Sequence, residues 1–191
     1  MDDAAVTGLA LAAKAGDKAA AAEFIRATQR DVHRFLVYMV DAREAEDLTQ
    51  ETFLRAMRAL PGFAGRSTAR TWLMAIARRV AADHIRAVVR QPRTAALPDW
   101  PAGGELVAVP ESRFDETLAL KQLLDTIPAE RREAFVATQV LGLSYLEAAE
   151  MCGCPVGTIR SRVARARADL AAALQADRDE GDGRRHLRVV S

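Results

Sequence analysis

Aromatic residues are scarce in this chain, at 5% of 191 positions, which argues against a β-sandwich, whose strands are rich in aromatic and β-branched side chains. Lysine is confined to Lys14, Lys18 and Lys121; arginine carries most of the positive charge, which reads as coding bias rather than a functional choice. Cysteine occurs only at positions 152 and 154. The pair is too close in sequence for an ordinary structural disulfide and too small for a zinc site. A reducing compartment fits this usage, and both residues read as small apolar packing groups rather than redox sensors. His33, His84 and His186 are isolated from one another and read as surface or partly buried neutral side chains, not ligands. No apolar run approaches the ~18–20 residues of a membrane span. Met1-Asp2-Asp3 is acidic where a signal peptide needs basic residues. The expectation is a soluble, cytoplasmic protein.

What is abundant is alanine, within an apolar fraction of 50%, and the apolar positions recur at helical spacing. The pattern runs from about Val6 to Val89, with breaks near Asp41 and around Pro61–Ser67. Gln91–Pro110 then carries Pro92, Pro98, Pro101, Pro110 and Gly103-Gly104 without helical period, the mark of an extended linker. Helical pattern resumes near Phe114 and continues to about Ala176, interrupted at Pro128, Gly142-Leu143 and Gly153–Pro155. The expected architecture is all-α: a helical domain over 1–90, a linker over 91–113, a second helical domain over 114–176, and a tail over 177–191 without regular structure.

The formal net charge of +1 hides a strong asymmetry. Between Arg66 and Arg93 seven arginines face one acid, Asp83, whereas Asp41–Leu60 holds five acids against three arginines. An acidic face beside a basic one suits a protein with two different partners.

The densest local signal lies at Ser144–Leu170. Ser144 can cap a helix, with Glu147 placed to close the capping box. Gly153 can take positive φ in a tight turn, and Pro155 can open the next helix without needing an amide partner. Ala149, Gly153, Ile159 and Val163 give the layout of a helix-turn-helix. On a wheel Ile159, Val163, Ala166 and Leu170 share one face, while Arg160, Ser161, Ala164, Arg165 and Arg167 lie on the other. Arginine at such a face can grip guanine O6/N7 or a phosphate, as a major-groove reader requires.

In Asp41–Leu60 the residues Ala45, Leu48, Thr52, Phe53, Ala56, Met57 and Leu60 form one face. Glu44, Asp47, Glu51, Arg55 and Arg58 form the opposite stripe, flanked by Gln50 and Leu54. From the wheel alone a solvated face, stabilised by pairs such as Glu51–Arg55, is favoured over a docking surface with Leu54 as apolar anchor. The turn-rich loop Pro61–Ser67 follows, then a helix in which Trp72, Leu73, Ile76 and Val80 read as core. A loop with one aromatic, Phe63, beside Arg66, Arg70, Arg78, Arg79 and Arg86 suits single-stranded nucleic acid, held by stacking and phosphate contact.

Taken together, AREAEDLTQETFLRAMRALPGF (42–63), TWLMAIARRVAADHIR (71–86), IPAERREAFVATQVLGLSY (127–145) and LSYLEAAEMCGCPVGTIRSRVARARADL (143–170) closely resemble the extracytoplasmic-function (ECF) sigma factors of the sigma-70 superfamily. The resemblance spans about residues 10–175, in the family's order and spacing. It implies a sigma region 2 bundle, an extended linker, and a region 4 helix-turn-helix. It implies that Asp47, Gln50, Glu51 and Leu54 face core RNA polymerase, at the β′ clamp, and turns the reading of the acidic stripe toward docking. It implies that Phe63, Gly65, Arg66, Ser67, Arg78, Arg79 and Arg86 meet the −10 element, the loop capturing a flipped-out base. It further implies that Pro155, Val156, Gly157, Thr158, Arg160, Ser161, Ala164 and Arg165 read the −35 element, and that the linker threads the polymerase cleft toward the RNA exit path beside the β subunit. The implied partners are core polymerase, promoter DNA and an anti-sigma protein, with no cofactor, metal, catalytic residue or membrane contact of its own. Many members carry Asn where this chain has Arg79, so the −10 preference does not transfer.

Two other classes compete. A helix-turn-helix repressor explains Ser144–Leu170 but leaves the acidic helix and basic loop without a purpose. An enzyme acting on nucleic acid finds no P-loop, metal-ligand cluster or nucleophile–base pair in the sequence. The complementary charge of the acidic helix and the arginine-rich surfaces also allows the two domains to occlude each other when unbound.

Overall fold

The computed structural model describes residues 1–90 and 119–186, with side chains as far as Gln175. Expectations for the linker, for the helical restart near Phe114 and for residues 187–191 lie outside the described residues. Among the described residues there are helices and no strand.

The N-terminal domain consists of α1 (Asp3–Lys14), α2 (Lys18–Met39), α3 (Ala42–Ala59) and α4 (Ala69–Arg90). Aspartate starts the first three. Asp2 accepts a hydrogen bond from Ala5 N at 2.7 Å. Asp17 accepts from Ala19 N and Ala20 N, and Asp41 from Arg43 N at 3.1 Å. Each satisfies amides that the first turn leaves without a partner. Before α4 the same task falls to Thr68, whose Oγ1 accepts from Thr71 N at 3.1 Å. The break between α1 and α2, at Gly16 with φ +102°, was not expected from the pattern. Alanine-rich helices on both sides keep the apolar period nearly continuous through it.

The C-terminal domain begins with helical residues 119–125, then α5 (Ala129–Phe135), which passes into a π turn over Val136–Val140. The helix-turn-helix follows as α6 (Tyr145–Cys152) and α7 (Val156–His186). α7 continues beyond Ala176, where the sequence suggested an end. Once a helix is nucleated each added residue costs little, and no proline follows Pro155 to stop it.

Phe24, Phe35, Leu36, Leu73 and Met74 fill the centre of the first domain; Leu124, Val136, Ile159 and Val163 fill the second. The buried residues of both join into one continuous cluster. α4 packs against α6, and α2 against α5 and the π turn. Buried hydroxyls are satisfied within their own helices: Thr28 donates to Phe24 O at 2.7 Å and Thr138 to Ala134 O at 2.8 Å.

Candidate functional site

The acidic stripe of α3 divides in two. Asp47 and Gln50 are exposed, and Leu54 is 54% exposed. Glu51 is half-buried and accepts from Arg55 Nε at 2.7 Å. Arg55 also donates to Asp83 on α4 at 2.8 Å, and Arg86 reaches the other oxygen of Asp83 at 2.5 Å. Glu51, Arg55, Asp83 and Arg86 thus form a brace between the two helices. The hydrogen bonds of Arg55, then Arg86, hold the Asp83 carboxyl below the usual range. Those of Asp83, then Glu51, raise the Arg55 guanidinium.

A depressed carboxyl adds stability above its unfolded-state value and loses it as pH falls through the folded one. Asp83→Asn should therefore lower the melting temperature at pH 7, and the gap from wild type should close as acidification protonates the Asp83 carboxyl in the folded protein. The pairs are exposed, so the loss is about 0–1 kcal/mol. Thermal melts of both proteins along an acid titration from pH 7 check it.

In the loop before α4, Gly65 takes φ +66° and leaves Arg66 exposed with Ser67 half-buried beside it. Phe63 behaves otherwise than expected. Its ring is 3% exposed and lies 5.0 Å from that of Trp72, tilted by 44°, while its carbonyl accepts from Lys14 Nζ at 2.7 Å. The expected stacking platform is instead an anchor that holds the loop on the bundle. An aromatic next to the 3₁₀ turn Leu60–Gly62 gains more from burial on Trp72 than from exposure. Arg55, Arg78, Arg79 and Arg86 share a cleft of about 380 Å³ with Asp83 and Ile76. Arg79 and Arg86 are exposed on its rim and Arg78 is half-buried.

The helix-turn-helix is built as its residues suggest. Glu147 N donates to Ser144 Oγ at 3.2 Å, and Ser144 N donates to the Glu147 carboxylate at 2.9 Å. Gly153 ends α6 in the left-handed region at φ +65°. No heavy atom crowds a Cβ built there, so Gly153→Ala tests backbone strain alone. It should cost about 1–2 kcal/mol, read as a lower unfolding midpoint in urea with an unchanged slope.

Along α7 Arg160, Ser161, Ala164 and Arg165 are exposed, as are Pro155 and Gly157, with Val156 and Thr158 half-buried. Ser161 Oγ donates to Thr158 O at 2.9 Å. The neighbouring charged residues are occupied in positioning the helix. Arg162 bonds Glu130 at 2.6 Å, Arg131 bonds Asp169 at 2.6 Å, and Arg167 donates to Gln139 Oε1 at 2.7 Å. Arg167, which the wheel placed with the readers, is one of these ties.

Two arginines cross between the domains. Arg70 donates through Nε to Asp31 at 2.9 Å and through Nη2 to the carbonyl of Leu141 at 2.6 Å. Arg78 forms an ion pair with Glu133, which is only 6% exposed. Burial pushes the Glu133 carboxyl above its usual range against the pull of Arg78. Burial draws the Arg78 guanidinium down, but the charge and hydrogen bond of Glu133 together outweigh it and raise the net value. Cys152 lies beside this pair, buried, its thiol pushed up to about 12 by burial and by the charge of Glu133. Cys154 is half-buried. The position of Glu133 was not anticipated from the sequence, where it is one acid in a run of charged residues.

Among the described residues no helix is long and apolar enough to cross a membrane. The sigma-70 region 2 family profile matches residues 24–91, and the sigma-70 region 4 profile residues 117–170. The ECF RNA polymerase sigma factor SigC of Mycobacterium tuberculosis is 52% identical over 178 residues, covering 92% of this chain and 95% of that protein. The RNA polymerase sigma-H factor of Pseudomonas aeruginosa is 36% identical over 171 residues, covering 84% and 89%. Among solved structures, CnrH in complex with the cytosolic domain of CnrY superposes with a TM-score of 0.73 at 25% identity, covering 91% of this chain and 99% of that one. The sigma factor RpoE of Bartonella quintana, in complex with the anti-sigma factor NepR, gives 0.63 at 28% identity over 81% and 96%. A capped helix-turn-helix, an arginine-lined α4 and two matching profiles in order along one chain have a single reading: this protein belongs to the ECF RNA polymerase sigma factors of the sigma-70 family.

Proposed function

We propose that Asp47, Gln50 and Leu54 dock core RNA polymerase, that Gly65, Arg66, Ser67, Arg79 and Arg86, joined by Arg78, hold the −10 element, and that Pro155, Val156, Gly157, Thr158, Arg160, Ser161, Ala164 and Arg165 read the −35 element. The observation that carries this is the separation of two exposed surfaces of opposite chemistry: carboxylate and leucine on α3, arginine and serine on α7. Glu51 serves docking mainly through Arg55, whose second bond, to Asp83, ties α3 to α4. Phe63 serves DNA indirectly by fixing the loop that presents Arg66 and Ser67.

On this reading the chain catalyses nothing itself, needs no cofactor and works in the cytoplasm, where polymerase and promoter are. Its binding energy places the polymerase and helps expose the template. Extruding one base from the stack costs a few kcal/mol, which the arginines of the α4 cleft offset by phosphate contact. Several such contacts make promoter affinity fall steeply with salt. An anti-sigma protein is a further partner, supported by the complex in which RpoE is found.

The test is transcription in vitro with purified core polymerase and a promoter library. Start sites that cluster behind a shared −35 and −10 pair support the reading, and transcripts unchanged by adding the protein reject it. The competing repressor reading predicts instead that the free protein binds a palindromic duplex tightly in a gel shift.

A further inference from the structure

Helix α1 lies outside the region 2 profile, which begins at residue 24, and no role in polymerase or DNA binding falls on it above. Its side chains nevertheless reach both ends of the loop before α4. At 100° per residue Asp3, Thr7 and Lys14 fall within about 40° of one another, beside the buried Val6 and Ala10. The near end of the loop is held by Lys14, whose Nζ donates to Phe63 O at 2.7 Å. Lys14 is the last residue of α1, so its ammonium also answers the negative end of that helix.

The far end is held by Thr7. Its Oγ1 donates to Asp3 O at 2.7 Å and accepts from Ala69 N at 3.0 Å. With its proton committed to Asp3, the hydroxyl offers lone pairs alone, and the Ala69 amide takes one. Ala69 is fully buried and opens α4, where an amide has no partner in its own helix. Thr7 supplies that partner from another helix. Asp3 adds a looser tie, its Oδ1 lying 3.9 Å from Arg70 Nη1.

Between the two pins, residues 64–67 form the tip. Among the described residues none of these makes a hydrogen bond, and 64, 65 and 66 are exposed. The Phe63 ring is anchored on Trp72, but the backbone that leads into the tip is set by Lys14. The shape of the tip therefore follows from where its ends are held. A loop ordered before binding loses less entropy when it binds.

We propose that α1 is the mount of the −10 loop, with Lys14 and Thr7 as positioning residues for capture of the flipped-out base. This rests on the assignment of that loop to the −10 element made above. Both side chains act through the backbone, at the Phe63 carbonyl and the Ala69 amide, which set the entry and exit of the segment carrying Arg66 and Ser67. Arg79 and Arg86 lie further along α4 and are independent of the pins. Base capture thus depends on α1, and phosphate contact does not.

The experiment uses holoenzyme assembled from core polymerase and the full-length chain. The probes are the single-stranded −10 oligonucleotide recovered from the promoter library and copies with one base at a time made abasic. In the wild type the position whose abasic copy binds more weakly marks the captured base. Lys14→Met keeps the apolar stem and removes the donor, whereas Lys14→Arg keeps a donor. Thr7→Val keeps the shape and removes the hydroxyl, whereas Thr7→Ser keeps it. With the tip in its capturing form about one-tenth of the time, affinity of Lys14→Met and Thr7→Val for the intact oligonucleotide falls about tenfold. Their affinity for the copy abasic at the captured position should stay at wild-type level, as should binding to core polymerase and to a −35 duplex. Lys14→Arg and Thr7→Ser should recover the difference between intact and abasic probes.

That pattern supports the mount. Undiminished discrimination between the two probes in both Lys14→Met and Thr7→Val overturns it. So does an equal loss on both probes, which would make α1 a support of the fold at large. Should Thr7→Val fail to fold, as its melting curve will show, Lys14→Met decides alone, because Lys14 is exposed. If no abasic position weakens the wild type, base capture by this loop is itself wrong, and the mount falls with it.

Discussion

Asp47→Lys combined with Leu54→Asp should abolish capture of core RNA polymerase by the full-length chain, lowering affinity by more than about 100-fold. Both side chains are exposed on α3 and neither belongs to the brace that joins α3 to α4. Surface changes of this kind usually alter stability by less than about 0.5 kcal/mol, so loss of binding would not reflect loss of fold. The two changes remove different terms. Leu54 forfeits the burial of a leucine side chain, about 1.5–3 kcal/mol when complete. Reversing charge at Asp47 places like charges together across the contact, which costs several kcal/mol. At about 1.4 kcal/mol per decade, the sum exceeds two decades even when the pair is far from additive. Fluorescence anisotropy of labelled protein titrated with core polymerase measures it, and melting curves verify the fold. Wild-type affinity in the double variant would place the docking surface elsewhere. Glu51→Gln is the informative control. Its carboxylate is engaged by Arg55 at 2.7 Å, so it should lose less affinity than Asp47→Lys and some stability besides.

The contrast between Asp47 and Glu51 illustrates what a sequence can and cannot reveal here. A wheel places both on one stripe, and the i,i+4 pair with Arg55 is visible because its partners are four residues apart. The third member of the brace, Asp83, is 28 residues from Arg55, and no local pattern links them. The helix-turn-helix was legible almost residue by residue, because its determinants are short-range. A capping box closes over three residues, a left-handed glycine acts on its own turn, and an apolar face repeats every three to four positions. The interdomain contacts of Arg70 and Arg78 were not legible, and the acidic helix, whose charge suggested occlusion, takes no part in either. Arg70 and Leu141 lie 71 residues apart, and nothing near Glu133 distinguishes a buried acid from a solvated one. Phe63 shows the same limit. A lone aromatic in a glycine-rich loop has the composition of a stacking platform, and only the approach of Trp72 from α4 shows that the ring is covered.

At the other end of the molecule, Arg160→Ala and Arg165→Ala should each weaken −35 recognition by about 1–3 kcal/mol if the lost contact is bidentate to a base, about 5- to 150-fold in affinity. Both are exposed on α7, in contrast to Arg162 and Arg167, which are tied to Glu130 and Gln139. That difference turns four similar residues into an internal comparison. Arg162→Ala removes a tie between α7 and the start of α5, so it should loosen the helix and lower the melting temperature more than Arg160→Ala does. Arg160→Ala and Arg165→Ala should leave the melting temperature near wild type and act on DNA. The kind of contact is then read from two observables. A base contact relaxes the preference at one position of the −35 element, whereas a phosphate contact weakens all sequences alike and reduces the salt slope by about 1. Holoenzyme binding to a set of single-position −35 variants, repeated at two salt concentrations, separates the cases. If both variants transcribe a −35-dependent promoter as well as the wild type does, then α7 docks the domain without reading it. Specificity would then have to come from the −10 surface alone.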